Sequence, residues 1–223
     1  MTKSIYSVRI LCFAIMAFLI IRTASAEPTT ATFEITFSSL WSDQTHPKEF
    51  PPNPHFSEFT GVIHNGLVSF WTPGMLATEG VKNVAERGRE DKFLEETSRA
   101  IESGAASSGF EIDGFYQEET PSVKVVVSAS HQHTLLSVIT MLAPSPDWFT
   151  GVHDLELRPS GEWITSKVLQ TYTYDAGTDS GLSYESRNQP TEPPAPITRI
   201  EGEPLAYQGE VRPTLNIRID RID

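Results

Sequence analysis

The 223-residue sequence holds one cysteine, few basic residues and a single extended apolar run, and each shortage excludes something. Lysine and arginine number 17 against 29 aspartates and glutamates, a net charge of −12 at pH 7. A chain this acidic repels a phosphate backbone, which argues against nucleic-acid binding. The apolar run, Ile10 to Ile21, is about 12 residues long, short of the roughly 20 that span a bilayer. Lys3 and Arg9 precede it and Ala24-Ser25-Ala26 follows, the layout of a secretory signal peptide. The expected organisation is a signal peptide over 1–26 and a single domain over 27–223, secreted or periplasmic, with no membrane span after cleavage.

Cleavage removes Cys12 together with Lys3, Arg9 and Arg22, leaving 14 basic and 29 acidic residues, a net charge of −15 and no thiol. Cysteine nucleophiles, thiolate zinc sites and thiol redox chemistry are excluded together. An exported domain without disulfides relies on core burial, on bound metal, or on both. The hydrophobic fraction, 39%, is enough to build a core.

Most of the mature chain reads as short strands. Ala31 to Phe37 alternates apolar with polar residues, as a half-buried strand does. Thr60 to Trp71 reads as a strand pair turning at Asn65-Gly66. Further strand signals lie at Ser122–Ala129, Leu135–Leu142, Asp154–Leu157, Ser166–Tyr174 and Thr214–Ile219. Prolines 47, 51, 52 and 54 forbid both helix and ladder between His46 and Phe56, and Gln189–Pro196 is a second proline-rich loop. One main helix is predicted between Gly88 and Gly104, with Phe93, Leu94, Ala100 and Ile101 on one stripe. The expected fold is all-β, an antiparallel sandwich with one main helix.

Two acidic loops stand out as candidates for chemistry. In Pro144-Ser145-Pro146-Asp147-Trp148-Phe149 the prolines stiffen the chain before Asp147, and the aromatics can pin it to the core. In Asp175-Ala176-Gly177-Thr178-Asp179-Ser180-Gly181 two carboxylates lie four residues apart, with glycines free to adopt positive φ. Calcium takes six to eight oxygens in loose geometry, and three carboxylates sharing a small volume repel unless a cation sits between them. Asp175 and Asp179 can equally be turn caps, and the sequence does not show that the two loops meet. The EF-hand spacing is absent, and magnesium, which demands tighter geometry, is second to calcium.

His131 and His133, at alternate positions of what reads as one strand, form a possible two-ligand pair for a metal-assisted hydrolase. The bland reading makes them, like His46, His55, His64 and His153, hydrogen-bonded residues of loops and strand ends. No Gly-x-Ser-x-Gly elbow occurs. Trp41, Trp71, Trp148 and Trp163 are expected to anchor the core.

At these motifs the chain resembles a spondin domain, a module of extracellular-matrix proteins. The matching residues are Trp41-Ser42, His46-Pro47, Phe50-Pro51, His55-Phe56-Ser57, Gly61-Val62-Ile63-His64, Phe70-Trp71 with Gly74, Pro144 to Phe149 with Gly151-Val152, and Asp175 to Gly181. They run in the family's order from about Thr32 to Ile200. The resemblance implies a C2-like β-sandwich with one calcium ion at one end, held by Asp147, Asp175 and Asp179. It also implies a non-catalytic role in extracellular adhesion or recognition, toward an unidentified protein or glycan, or a purely structural matrix or envelope role. Animal members join the domain to other modules and carry cysteines, whereas here Arg158 stands where they have one; the chain reads as a stand-alone, bacterial-type member. Ligands attributed to animal relatives therefore do not carry over.

Overall fold

In a computed structural model of the chain, the structure describes residues 28–116 and 122–223. The signal-peptide expectation for residues 1–26 lies outside the described residues. In chain order the elements are β1 (Thr30–Ser39), β2 (His55–Phe56), β3 (Phe59–His64), α1 (Glu79–Arg87), α2 (Asp91–Glu102), β4 (Ala106–Ile112) and β5 (Phe115–Tyr116). Then come β6 (Ser122–Ser130), β7 (Leu135–Ala143), β8 (Trp148–Glu156), β9 (Ser166–Thr171), β10 (Thr173–Asp175) and β11 (Thr198–Arg199). A small hairpin of β12 (Ala206–Tyr207) and β13 (Glu210–Val211) precedes β14 (Leu215–Arg221).

The strands form two antiparallel sheets, as expected of a sandwich. The first runs β6-β1-β14-β9; in the second β11, β10, β8, β7 and β3 lie side by side, β4 pairs with β3, and β2-β5 attaches to β7. The β1 alternation places Phe33, Ile35 and Phe37 inward beside Ile217 and Ile219 of β14. Across the interface stand Phe59 and Ile63 of β3 and Leu136 and Val138 of β7, with Phe37 stacked on Phe59 at 4.6 Å between ring centroids. Burying each such side chain contributes about 1.5–3 kcal/mol.

β3 and β7 do not alternate, because both of their faces are covered. The second face carries Val62, Ile139 and Phe149 against Phe70, Trp71, Val81, Val84 and Phe93. The predicted helix is α2, ending before Gly104. A second helix, α1, precedes it: Thr78 caps its N-terminus by accepting from the Val81 amide, and Gly88 ends it in the left-handed region at φ 61°. Its apolar stripe is only Val81, Val84 and Ala85, which is why the sequence pattern does not announce it.

Three local expectations are corrected. The stretch from His46 to Phe56, expected to hold no ladder, ends in β2, whose two residues pair with β5 and β7 beyond the last proline. Asn65-Gly66 turns the chain, but the residues after it form no strand; β3 pairs instead with β4 and β7, and the Asn65 side chain accepts from the Leu67 amide. The stretch Ser166–Tyr174 is two strands, because the chain leaves the first sheet at Thr171 and joins the second at Thr173. All four tryptophans are buried, as expected of core anchors.

Candidate metal centre

The β8–β10 ladder brings the two acidic loops together. Asp175 stands opposite Trp148, the residue after Asp147, and the Ala176 amide donates to the Asp147 carbonyl at 3.1 Å. The Asp147 side chain points inward, fully buried. Its Oδ2 accepts from the Thr178 amide at 2.7 Å, the Thr178 hydroxyl at 3.1 Å and the Asp179 amide at 3.0 Å. Its Oδ1 is buried with no hydrogen-bond partner. Burial, and then the charge of Asp175, push this carboxyl up to about 6, against the opposing hydrogen bonds from Thr178 and Asp179.

Asp175 and Asp179 shape the second loop. Asp175 Oδ1 accepts from the Gly177 amide at 2.7 Å. Burial raises the pKa of Asp175, the Gly177 bond lowers it, and repulsion from Asp179 raises it further. Asp179 accepts from the Gly181 amide through Oδ1 at 2.8 Å and from the Gln189 amide through Oδ2 at 2.7 Å. The loop is further tied to the proline-rich segment by Ser180 N–H to Gln189, Thr191 N–H to Thr178 and Ala195 N–H to Gly177 bonds of 2.8–3.0 Å. Gly177, at φ 74°, lies so close to that segment that a Cβ would collide with the Ala195 carbonyl.

The structure thus gathers Asp147, Asp175 and Asp179 at one end of the second sheet. Asp175 and Asp179 each cap a turn, and each also faces another carboxylate. Among the described residues no three His, Cys, Asp or Glu side chains form a ready-made metal cage. The donor set is all oxygen, which suits a hard cation. The open valence is Asp147 Oδ1, so Asp147 and Asp175 are the residues fit to hold an ion, with Asp179 setting the loop that faces them.

Sequence reasoning missed Thr178, whose amide and hydroxyl both clasp Asp147. Its position inside the Asp-Ala-Gly-Thr-Asp run is the only signal for it. Thr178 also lines a cleft of about 490 Å3 with Lys82, Pro190, Thr191, Glu192 and Pro194 among others.

The histidine pair is parted. β6 ends at Ser130, so His131 and His133 lie in the following turn rather than on one strand. The His131 ring lies against Trp163 at 5.7 Å, and His133 Nε2 donates to the Gly104 carbonyl at 3.0 Å.

Comparison with known proteins follows the same residues. The Spondin_N family profile matches residues 31–208. The chain belongs to the Spondin_N family. It is 31% identical over 173 residues to Spondin-2 of Homo sapiens, covering 76% of this chain and 52% of that protein. It is 38% identical over 184 residues to Spondin-1 of Gallus gallus, covering 77% of this chain and 22% of that one. Spondin-1 of Homo sapiens is 33% identical over 210 residues, covering 86% of this chain and 25% of its own length. The chain therefore spans about half of Spondin-2 and about a quarter or less of Spondin-1. Among the described residues no helix is long and apolar enough to cross a membrane.

Proposed function

We propose that this spondin domain is an extracellular, non-catalytic module whose acidic end binds one calcium ion and whose rim then serves adhesion or recognition of a protein or glycan. One observation carries the reading: Asp147 is a fully buried carboxylate whose Oδ1 has no partner while Asp175 repels it. A carboxylate so placed is costly unless a cation neutralises it. Calcium fits the donors available, which are carboxylates and loop carbonyls, and tolerates their irregular arrangement. Bound there, the ion would offset the repulsion between Asp147 and Asp175 and fix the 175–181 loop, whose Thr178 lines the cleft that would serve as the recognition surface.

The test is thermal unfolding in calcium and in chelator. Binding to the folded form alone stabilises by RT ln(1 + [L]/Kd), about 2.7 kcal/mol at a hundredfold excess over Kd. The Tm should rise with calcium in the wild type and stay fixed in Asp147→Asn and Asp175→Asn. An unchanged wild-type melt, or an undiminished response in Asp147→Asn, overturns the proposal.

A further inference from the structure

A second polar cluster lies away from the acidic loops, under the segment that joins β3 to α1. The β7–β8 register slips between Leu136 and Val138, so that His153 and Asp154 together oppose Ser137. Asp154 adopts φ 47°, in the left-handed region that non-glycine residues seldom occupy. A regular strand would send consecutive side chains to opposite faces. The bulge instead turns both toward the segment Ser69–Trp71: His153 packs on Trp71 at 4.9 Å between rings, and Asp154 Oδ2 accepts from the Ser69 hydroxyl at 2.9 Å.

His64 of β3 completes the group. Its ring is fully buried, Nδ1 donates to the Asn65 carbonyl at 3.0 Å, and Nε2 therefore accepts from the Ser137 hydroxyl at 2.8 Å. The Ser137 oxygen in turn accepts from the Asp154 amide at 3.0 Å. Each imidazole faces one oxygen of the same carboxylate: His64 Nε2 lies 3.6 Å from Asp154 Oδ1, and His153 Nδ1 lies 3.6 Å from Asp154 Oδ2. Both gaps exceed a hydrogen bond, and both Asp154 Oδ1 and His153 Nδ1 are buried without a partner. Each unpaired atom thus faces one that is already engaged: Asp154 Oδ1 lies opposite His64 Nε2, which Ser137 holds, and His153 Nδ1 lies opposite Asp154 Oδ2, which Ser69 holds.

We propose that His64, Asp154 and His153 form an acid-responsive latch that closes when the imidazoles take up protons. Protonated His153 carries an N–H on both ring nitrogens, so Nδ1 then presents a donor to Asp154 Oδ2. Protonated His64 donates through Nε2, so that Ser137 gives up its donor role there and Asp154 Oδ1 becomes the counter-charge. Histidine is the side chain whose charge changes between about pH 5 and 8. The other groups facing the latch are few. β7 contributes Ser137; the Ser69–Trp71 segment contributes a hydroxyl and two aromatic rings; Tyr174 of β10 stands behind Trp71; and His133, beyond Asn65, bonds the Gly104 carbonyl. Among the described residues no lysine or arginine pairs with Asp154. Closing the latch tightens β3, β7 and β8 beneath Trp71, whose ring also contacts Phe149 and Tyr174.

Trp71 reports the event, because an imidazolium in ring contact quenches indole emission. The purified protein with His131→Gln, which removes the other histidine lying against a tryptophan, is titrated from pH 8 to 5 by fluorescence. The expected result is a quenching transition that disappears in His153→Gln and moves to lower pH in Asp154→Asn, which removes the facing carboxylate. Asparagine tolerates positive φ, so this variant keeps the bulge. In parallel, the Tm advantage of wild type over Asp154→Asn should grow between pH 8 and 6. A transition with the same midpoint in Asp154→Asn, or one surviving in His153→Gln, overturns the proposal, as does a Tm difference that does not change with pH.

Discussion

Asp175 stands directly across the β8–β10 ladder from Trp148, so a single residue pairing sets Asp147 beside Asp175. Each comes from a loop that is unremarkable alone. The arrangement depends on the chain crossing between sheets at Tyr172, whose carbonyl accepts from the Thr150 hydroxyl at 2.8 Å. Without that crossing β9 would continue in the first sheet, and Asp175 would end on the wrong layer. The meeting of the two acidic loops and the sandwich topology therefore have one cause.

The raised Asp147 carboxyl gives the metal-free protein a defined pH dependence. Its folded value of about 6 exceeds the roughly 3.9 of an unfolded aspartate, so the folded form holds the proton more tightly. The associated stability is complete below about pH 4, is lost as pH rises toward 6, and changes little above it. The loss should be on the order of 3 kcal/mol at most and absent from Asp147→Asn, as measured by urea unfolding in chelator. Calcium competes with that proton, so its affinity at pH 5 should be about tenfold weaker than at pH 7.5 by calorimetry.

Gly177→Ala should disable the second loop. The backbone there has φ 74°, and a methyl group would strike the Ala195 carbonyl, the residue whose amide bonds Gly177 O. The expected loss is about 2–4 kcal/mol together with loss of the calcium-induced rise in Tm. Gly202→Ala, where a Cβ meets nothing within 4 Å, is the matched control and should change neither.

What the sequence reveals follows from how local the cause is. β1 is legible because its period of two reflects one buried face, whereas β3 and β7 are buried on both faces and lose that period. The aspartate loops are legible as loops, but that Asp147 is buried with one free oxygen depends on a partner strand distant in sequence. The bulge at His153-Asp154 is invisible beforehand, since strand periodicity assigns neighbours to opposite faces. His131 and His133 mislead for the converse reason: their spacing fits a strand that has already ended.

Tyr184 closes the aromatic floor near the second loop. Its hydroxyl accepts from Trp41 Nε1 at 3.1 Å, and its ring lies 5.5 Å from Trp41 and 5.2 Å from Trp148. Burial raises its pKa, so it stays neutral through the working range. Tyr184→Phe keeps the packing but leaves the indole N–H of a fully buried tryptophan unpaired. The expected cost is about 1–3 kcal/mol in urea unfolding with an unchanged m-value. Trp41→Phe in the same background removes the orphaned donor, so the double variant should lose less than the sum of the two single losses.

Glu96 joins the two helices through the start of α1. From α2 its Oε1 accepts from the Gly80 amide at 2.9 Å and its Oε2 from the Thr78 hydroxyl at 2.8 Å, while that hydroxyl accepts from the Val81 amide. The carboxylate thus satisfies a free N-terminal amide, lies at the positive end of the helix dipole and orients the cap. Glu96→Ala should cost about 2 kcal/mol and speed hydrogen exchange at the Gly80 and Val81 amides, because both lose their acceptor or its support. Glu96→Gln keeps one oxygen for Gly80 but presents a donor to Thr78, so it should cost about half as much. Equal losses in the two variants would show that the charge, rather than the geometry of the clasp, is what α1 requires.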